Sequence, residues 1–263
     1  MAQLAGTHFC TAHEVLRDGS VALACSDDVA AWPWLALDPH HPIVVQTINF
    51  WASVEAGLAK RNWADGQWTA LTEMEWQCGA PGCGHAHHGL ADYYEDGGKQ
   101  RFRITLFDKA GRLVYRMSGA GVVFRTRNFE GWRAEAKAAA GREPASFVFA
   151  ADQAIHAPVA GGSFLNADDP GLALVTPENG LPPGHPYMSG SGDHVNATHL
   201  AEAVRQFAAL ALGKRATLPS GGEMHFRRYV ELGVPFEIAV SEGEAFILSQ
   251  NHKPCCLVRF DYA

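Results

Sequence analysis

The sequence predicts an α+β chain in which one pattern, a helix followed by three or four antiparallel strands, runs twice. Three observations carry that expectation. Apolar residues recur at helical spacing over residues 43–61 and again over 196–213. Each of these segments is followed by runs of strand-forming residues. Between the two halves, residues 141–144 have linker composition, which divides the 263 residues into 1–140 and 145–263.

In the first half, residues 8–26 alternate polar and apolar and read as one or two strands. A loop rich in Trp, Pro and His follows, from Trp32 to Pro42. Ile43, Val44, Phe50, Trp51, Val54 and Leu58 mark the helix, with Lys60 and Arg61 placed to complement its C-terminal dipole. Residues 68–76 read as a strand. A Gly, Cys and His loop comes next, then a hairpin of 100–107 and 113–124 joined at Asp108 to Gly111. Residues 129–140 form an Ala-rich helical tail.

The second half repeats the order. Residues 147–149 and 172–175 are strand candidates, and 177–192 is a Pro- and Gly-rich loop. The helix over 196–213 has Leu200, Ala203, Val204, Phe207 and Leu210 on one side, and Gly213 ends it. Residues 224–232, 236–240, 246–249 and 256–262 finish as strands. Both helices are richer in apolar residues than a surface helix requires, which suits a helix gripped by a sheet.

Composition narrows the class. With 47% hydrophobic and 19% charged residues the chain is globular rather than disordered. A formal charge of −7 argues against nucleic acid as a partner, because a phosphate-binding surface needs a basic patch. No apolar run is long enough to span a membrane, and residues 1–8 lack the regions of a signal peptide, so the expected location is the cytoplasm. The six cysteines are therefore expected as reduced thiols.

The densest polar cluster runs from His185 to Gln206. Asp193 or Asn196 can cap the second helix. The N–H groups at that end can hold a carbonyl or oxyanion. His199, Glu202 and Gln206 lie at i, i+3 and i+7 on one face. If a sheet wraps the helix, burial tunes the Glu202 carboxyl for general acid or base work. The competing reading makes Asp193 a cap, His194 a surface residue and Glu202 an ion-pair partner of Arg205 or of a neighbouring arginine.

The Asp193-His194-Val195 segment running into Leu200-Ala201-Glu202-Ala203-Val204-Arg205-Gln206 resembles the second repeat of the A-factor synthase (AfsA-like) family. Residues 226–235 (FRRYVELGVP) resemble its following strand. Asp108 to Leu113 with Gly119 resembles its first-repeat hairpin, and Pro42 to Thr47 its first-repeat helix start. The resemblance implies a double hot-dog fold, in which each repeat is a central helix wrapped by an antiparallel sheet. It also implies transfer of a β-ketoacyl group from a carrier-protein thioester to a three-carbon acceptor such as dihydroxyacetone phosphate, giving a butenolide or γ-butyrolactone of specialised metabolism. Related hot-dog enzymes are 3-hydroxyacyl-thioester dehydratases and acyl thioesterases, and a non-catalytic module binding an acyl chain or a carrier protein is a further alternative.

On this resemblance the catalytic candidates are Glu202, His194, Asp193 and His185. The substrate-binding candidates are Asn196, His199, Arg205, Gln206, Arg227 and Arg228, the arginines suiting a phosphate. The partner is an acyl thioester on acyl carrier protein or coenzyme A, no cofactor is required, and the chain is expected as a monomer or homodimer. Several positions depart from the family. Neither His185 nor His194 has the dehydratase spacing to Glu202. Asn196 and Ala197 replace the usual Pro and Gly. Gln46 stands where the first repeat would have a carboxylate. An amide cannot move a proton, so the first repeat is expected to be scaffold or binding wall.

The other conspicuous stretch runs from Cys78 to His88. Cys78, Cys83, His85 and His87 can supply tetrahedral ligands to a structural zinc, with glycines letting the loop curl around the ion. A flexible loop with incidental histidines explains the same residues. His40 and His41, in the loop before the first helix, are either turn residues or part of a cleft. Cys255 and Cys256 fall in a terminal strand, where alternation places one of them in the core.

Overall fold

The computed structural model describes residues 8–61, 68–97, 99–124, 129–140, 146–158, 161–176, 194–213 and 218–262. The chain divides into two compact units. The first comprises Met1–Thr126, Pro219–Glu223 and Asp261–Ala263, and the second Arg127–Leu218 and Met224–Phe260. The main division falls at Thr126, so the Ala-rich helix goes with the second unit, whereas the sequence reading ends the first half with it. The expected linker at 141–144 lies outside the described residues.

The first unit holds β1 (Cys10–Val15), β2 (Val21–Cys25), helix α1 (Pro42–Ala59), β3 (Trp68–Cys78), β4 (His88–Asp96), β5 (Lys99–Phe107) and β6 (Leu113–Phe124). Its strands run in the order β1-β2-β4-β5-β6-β3, and every pair is antiparallel. Helix α1 packs on β1, β2, β4 and β5. Its first eight residues, Pro42 to Asn49, are all buried, as a helix with apolar residues on several sides must be. His41 caps it, its side chain accepting from the Ile43 N–H, and Pro42 occupies the first turn, where the missing N–H costs nothing. The β5–β6 turn is the one expected. Asp108 N–H donates to the Arg112 carbonyl at 2.9 Å, and Gly111 takes φ 77°.

Strand β4 was not expected. Its inward residues include Gly89 and Ala91, which carry almost no hydrophobic signal. Gly89 is required there, because an added Cβ would overlap the Thr105 carbonyl oxygen on β5.

The second unit holds α2 (Phe129–Ala140), α3 (Asp152–Ile155), β7 (Leu172–Ala173), α4 (Ala197–Ala211), the latter half of β8 (Gly221–Phe226), β9 (Phe236–Val240), β10 (Phe246–Gln250) and all but the last residue of β11 (Lys253–Asp261). Strands run in the order β8-β11-β10-β9-β7. Of the expected strand at 147–149, only a bridge between Phe149 and Asn166 forms. Asn196 caps α4, and Gly213 follows it with φ 62°. In α4 every residue from Thr198 to Ala208 is buried.

Two corrections share one cause. The expected strand over 224–232 stops at Phe226, and the backbone N–H groups of Arg227 and Arg228 both donate to the Cys255 carbonyl, at 2.8 and 3.2 Å. Pairing between β10 and β11 jumps from Leu248–Cys256 to Ser249–Pro254, which leaves Cys255 as a bulged residue. The bulge breaks the two-residue alternation. Cys255 and Cys256 are therefore both buried, where alternation predicts one, and Arg227 and Arg228 are both exposed. All six cysteines are free thiols. No helix among the described residues is long and apolar enough to cross a membrane.

Candidate functional site

The spacing on α4 brings four of the expected residues together. Glu202, Gln206 and His199 are 1%, 0% and 1% exposed, and Arg205 is 8% exposed. Arg205 clasps Glu202 with both arms of its guanidinium, Nε to Oε2 at 2.8 Å and Nη2 to Oε1 at 2.6 Å. The same Nη2 donates to the His156 carbonyl at 2.9 Å, tying α4 to the end of α3. Gln206 donates to Glu202 Oε1 at 3.0 Å and to the Gly162 carbonyl at 2.8 Å, and its own oxygen accepts from Phe164 N–H at 2.9 Å. Glu202 is thus the ion-pair partner of Arg205, with both oxygens receiving N–H groups. Two charges out of water are tolerable only with such geometry.

One turn nearer the helix start, Asn196 Oδ1 accepts from the His199 N–H at 3.3 Å and lies 2.7 Å from His199 Nδ1. An amide oxygen only accepts, so Nδ1 carries the proton, and in the neutral ring Nε2 is the basic nitrogen. The imidazole also packs against the Phe164 ring at 5.8 Å. A buried imidazole of fixed tautomer therefore stands in the first turn of α4, at its positive end.

The His194 ring is edge-on to Tyr229 at 4.6 Å. The Arg133 guanidinium sits over the same tyrosine at 4.3 Å and forms a two-armed, buried ion pair with Glu231, at 2.6 and 2.9 Å. This pair ties α2 to the segment after β8. Its partners are 98 residues apart, too far for any local spacing to signal the pair. Arg228 donates to the Pro254 carbonyl at 3.1 Å. Asp193 and His185 lie outside the described residues.

In the first unit, the structure does not gather Cys78, Cys83, His85 and His87 into one set. Cys78 Sγ lies 3.6 Å from the Pro219 carbonyl, and burial pushes its thiol up to about 12. His87 is exposed beside His88. Among the described residues, no three His, Cys, Asp or Glu side chains are grouped to hold a metal ion.

Cys83 instead meets His40, Sγ to Nε2 at 3.2 Å, with the two residues 8% and 9% exposed. Asp38 accepts the His40 N–H at 2.8 Å, and Tyr115 donates to the Pro39 carbonyl at 2.6 Å. On the other side Asp108 accepts from Gly84 N–H at 2.9 Å. Burial raises the Cys83 thiol, with the Asp108 charge adding to it, and burial lowers His40. The resting pair is therefore a neutral thiol facing a neutral imidazole. The N–H groups of Gly84 and then Arg112 hold Asp108 down to about 2.

No protein-family model and no curated protein matches the sequence. Solved structures do. The dehydratase domain from the CurK module of curacin polyketide synthase superposes with a TM-score of 0.51 at 12% identity, over 96% of this chain and 95% of that one. An acyl-ACP thioesterase from Bacteroides thetaiotaomicron gives a TM-score of 0.49 at 12% identity, over 97% and 96%. These neighbours are hot-dog-fold proteins, and the likeness to the dehydratase domain gives this chain that fold.

Proposed function

We propose that the protein is an acyl-thioester-processing enzyme whose two units are one hot-dog repeat each, and that it transfers the acyl group to a hydroxyl acceptor. The observation that carries the reading is the first turn of α4, where Asn196 fixes a buried His199 beside a helix N-terminus. The helix end polarises a thioester carbonyl. His199 Nε2 takes the proton of the attacking hydroxyl and returns it to the departing thiolate. Glu202, Arg205 and Gln206 act as positioning residues that hold this turn against α3. The finer reading follows the resemblance of residues 193–206: a β-ketoacyl group leaves a carrier-protein thioester for a three-carbon acceptor such as dihydroxyacetone phosphate.

A second reading, dehydration of a 3-hydroxyacyl thioester, draws on the likeness to a polyketide dehydratase domain. Against it stands Glu202, whose two oxygens are both occupied by Arg205 and Gln206. Mass spectrometry of products separates the readings. With β-ketoacyl and 3-hydroxyacyl thioesters, the leading view expects an adduct that forms only with dihydroxyacetone phosphate. Loss of water selects dehydration, free acid selects a thioesterase, and no turnover of any thioester leaves a binding module.

A further inference from the structure

We propose that Cys83 and His40 form a second reactive site, in the first unit, at which Cys83 accepts an acyl group from a thioester. The choice of donor rests on the acyl-thioester reading above; the pair itself rests on geometry. Its Sγ–Nε2 distance of 3.2 Å is that of a nucleophile and its base. Both partners are held from behind. Asp38 and Tyr115 fix the backbone at His40, and the His40 ring also packs edge-on to Tyr115 at 6.3 Å. Asp108 fixes the residue after Cys83. Gly79, at the start of the Cys83 loop, lets it lie directly on β6, since a Cβ there would overlap the Leu113 carbonyl oxygen. This is a loop held in place on several sides.

Two further features favour an acyl ligand. Helix α1 begins two residues after His40, so its positive end adjoins the pair. One turn inside that helix, Gln46 is 2% exposed, and neither its Nε2 nor its Oε1 has a partner among the described residues. A buried amide left open at both ends is costly to folding, and a ligand carbonyl would satisfy its N–H.

The step balances without any further reagent. Cys83 Sγ attacks the carbonyl carbon of the donor thioester while its proton passes to His40 Nε2. The tetrahedral intermediate collapses with cleavage of the donor C–S bond. His40 then returns the proton to the leaving thiolate, giving a free donor thiol and an acyl-Cys83 thioester. The neutral resting pair fits this order, since the proton moves only as the carbonyl is attacked.

The test uses the full-length protein with octanoyl-coenzyme A and 3-oxooctanoyl-N-acetylcysteamine, acid-quenched at early times. Intact mass and peptide mapping should find one acyl group, released by neutral hydroxylamine, on Cys83 and not on the other five cysteines. His40→Gln should slow its formation roughly a hundredfold, and Cys83→Ser should abolish the hydroxylamine-labile adduct. Thioester turnover with no adduct on Cys83 overturns this inference and leaves the proposed function standing. So does label spread evenly over Cys78, Cys83 and Cys255, or acylation at an unchanged rate in His40→Gln. An acyl-Cys83 adduct with no product released supports the pair and counts against an enzyme acting at α4.

Discussion

Helices α1 and α4 have 18 and 15 residues, and both are buried over most of their length, yet they treat their polar residues in opposite ways. On α4, Gln206, Glu202 and Arg205 satisfy one another and the backbone of α3 and its neighbours. On α1, both ends of Gln46, Thr47 Oγ1, Asn49 Oδ1 and Trp51 Nε1 are buried without a hydrogen-bond partner among the described residues. Asn49 Nδ2 donates to the Met74 sulfur at 3.8 Å. Burial alone therefore says little about a polar side chain's task. A closed network holds a helix in place. An open one leaves capacity for something that is not part of the chain.

That contrast is broken most forcefully by removing one partner of a closed pair. Arg205→Met should lower stability by about 3–5 kcal/mol, because Glu202 is left charged and buried; urea unfolding followed by fluorescence measures it. Glu231→Ala, which strands Arg133, should cost a similar or somewhat smaller amount in the same assay. The paired glutamines give a sharper comparison. Gln206→Met should destabilise by about 1–3 kcal/mol, since the Phe164 N–H and the Gly162 carbonyl lose their partner. Gln46→Met should instead leave stability unchanged or raise it by about 1 kcal/mol, as it removes an amide that bonds to nothing. Equal losses in both variants would erase the distinction between the helices.

The smallest expected effect concerns Asp108. Its carboxyl is held low, so it contributes stability that is full above about pH 4 and is lost as pH falls towards about 2. Acid titration of unfolding should show that loss in the wild type and not in Asp108→Asn, which starts less stable at neutral pH.

Much of the fold was legible where periodicity is strong. Helix α4 and β9 sit where their apolar spacing puts them, and the Asp108–Gly111 turn announces the β5–β6 hairpin. Strand β4 was hidden because small residues, Gly89 and Ala91, fill its inward positions. The bulge at Cys255 was hidden because register is a property of two strands together, and it buries both Cys255 and Cys256 where alternation predicts one.

In the candidate site, the group on α4 was readable from i, i+3 and i+7 spacing, but whether Glu202 is a proton carrier or an ion-pair partner was not. That depends on which rotamers Arg205 and Gln206 adopt. The pairing of Cys83 with His40, 43 residues away, belongs to tertiary structure, and the sequence offered His85 and His87 as nearer companions.

The proposed function stands or falls most directly on thiol release from a 3-oxoacyl thioester by wild type and His199→Ala, both verified as folded by circular dichroism. Release should be slower by about a hundredfold or more in the variant, with Asn196→Ala falling between the two. Release by folded His199→Ala at the wild-type rate would contradict it.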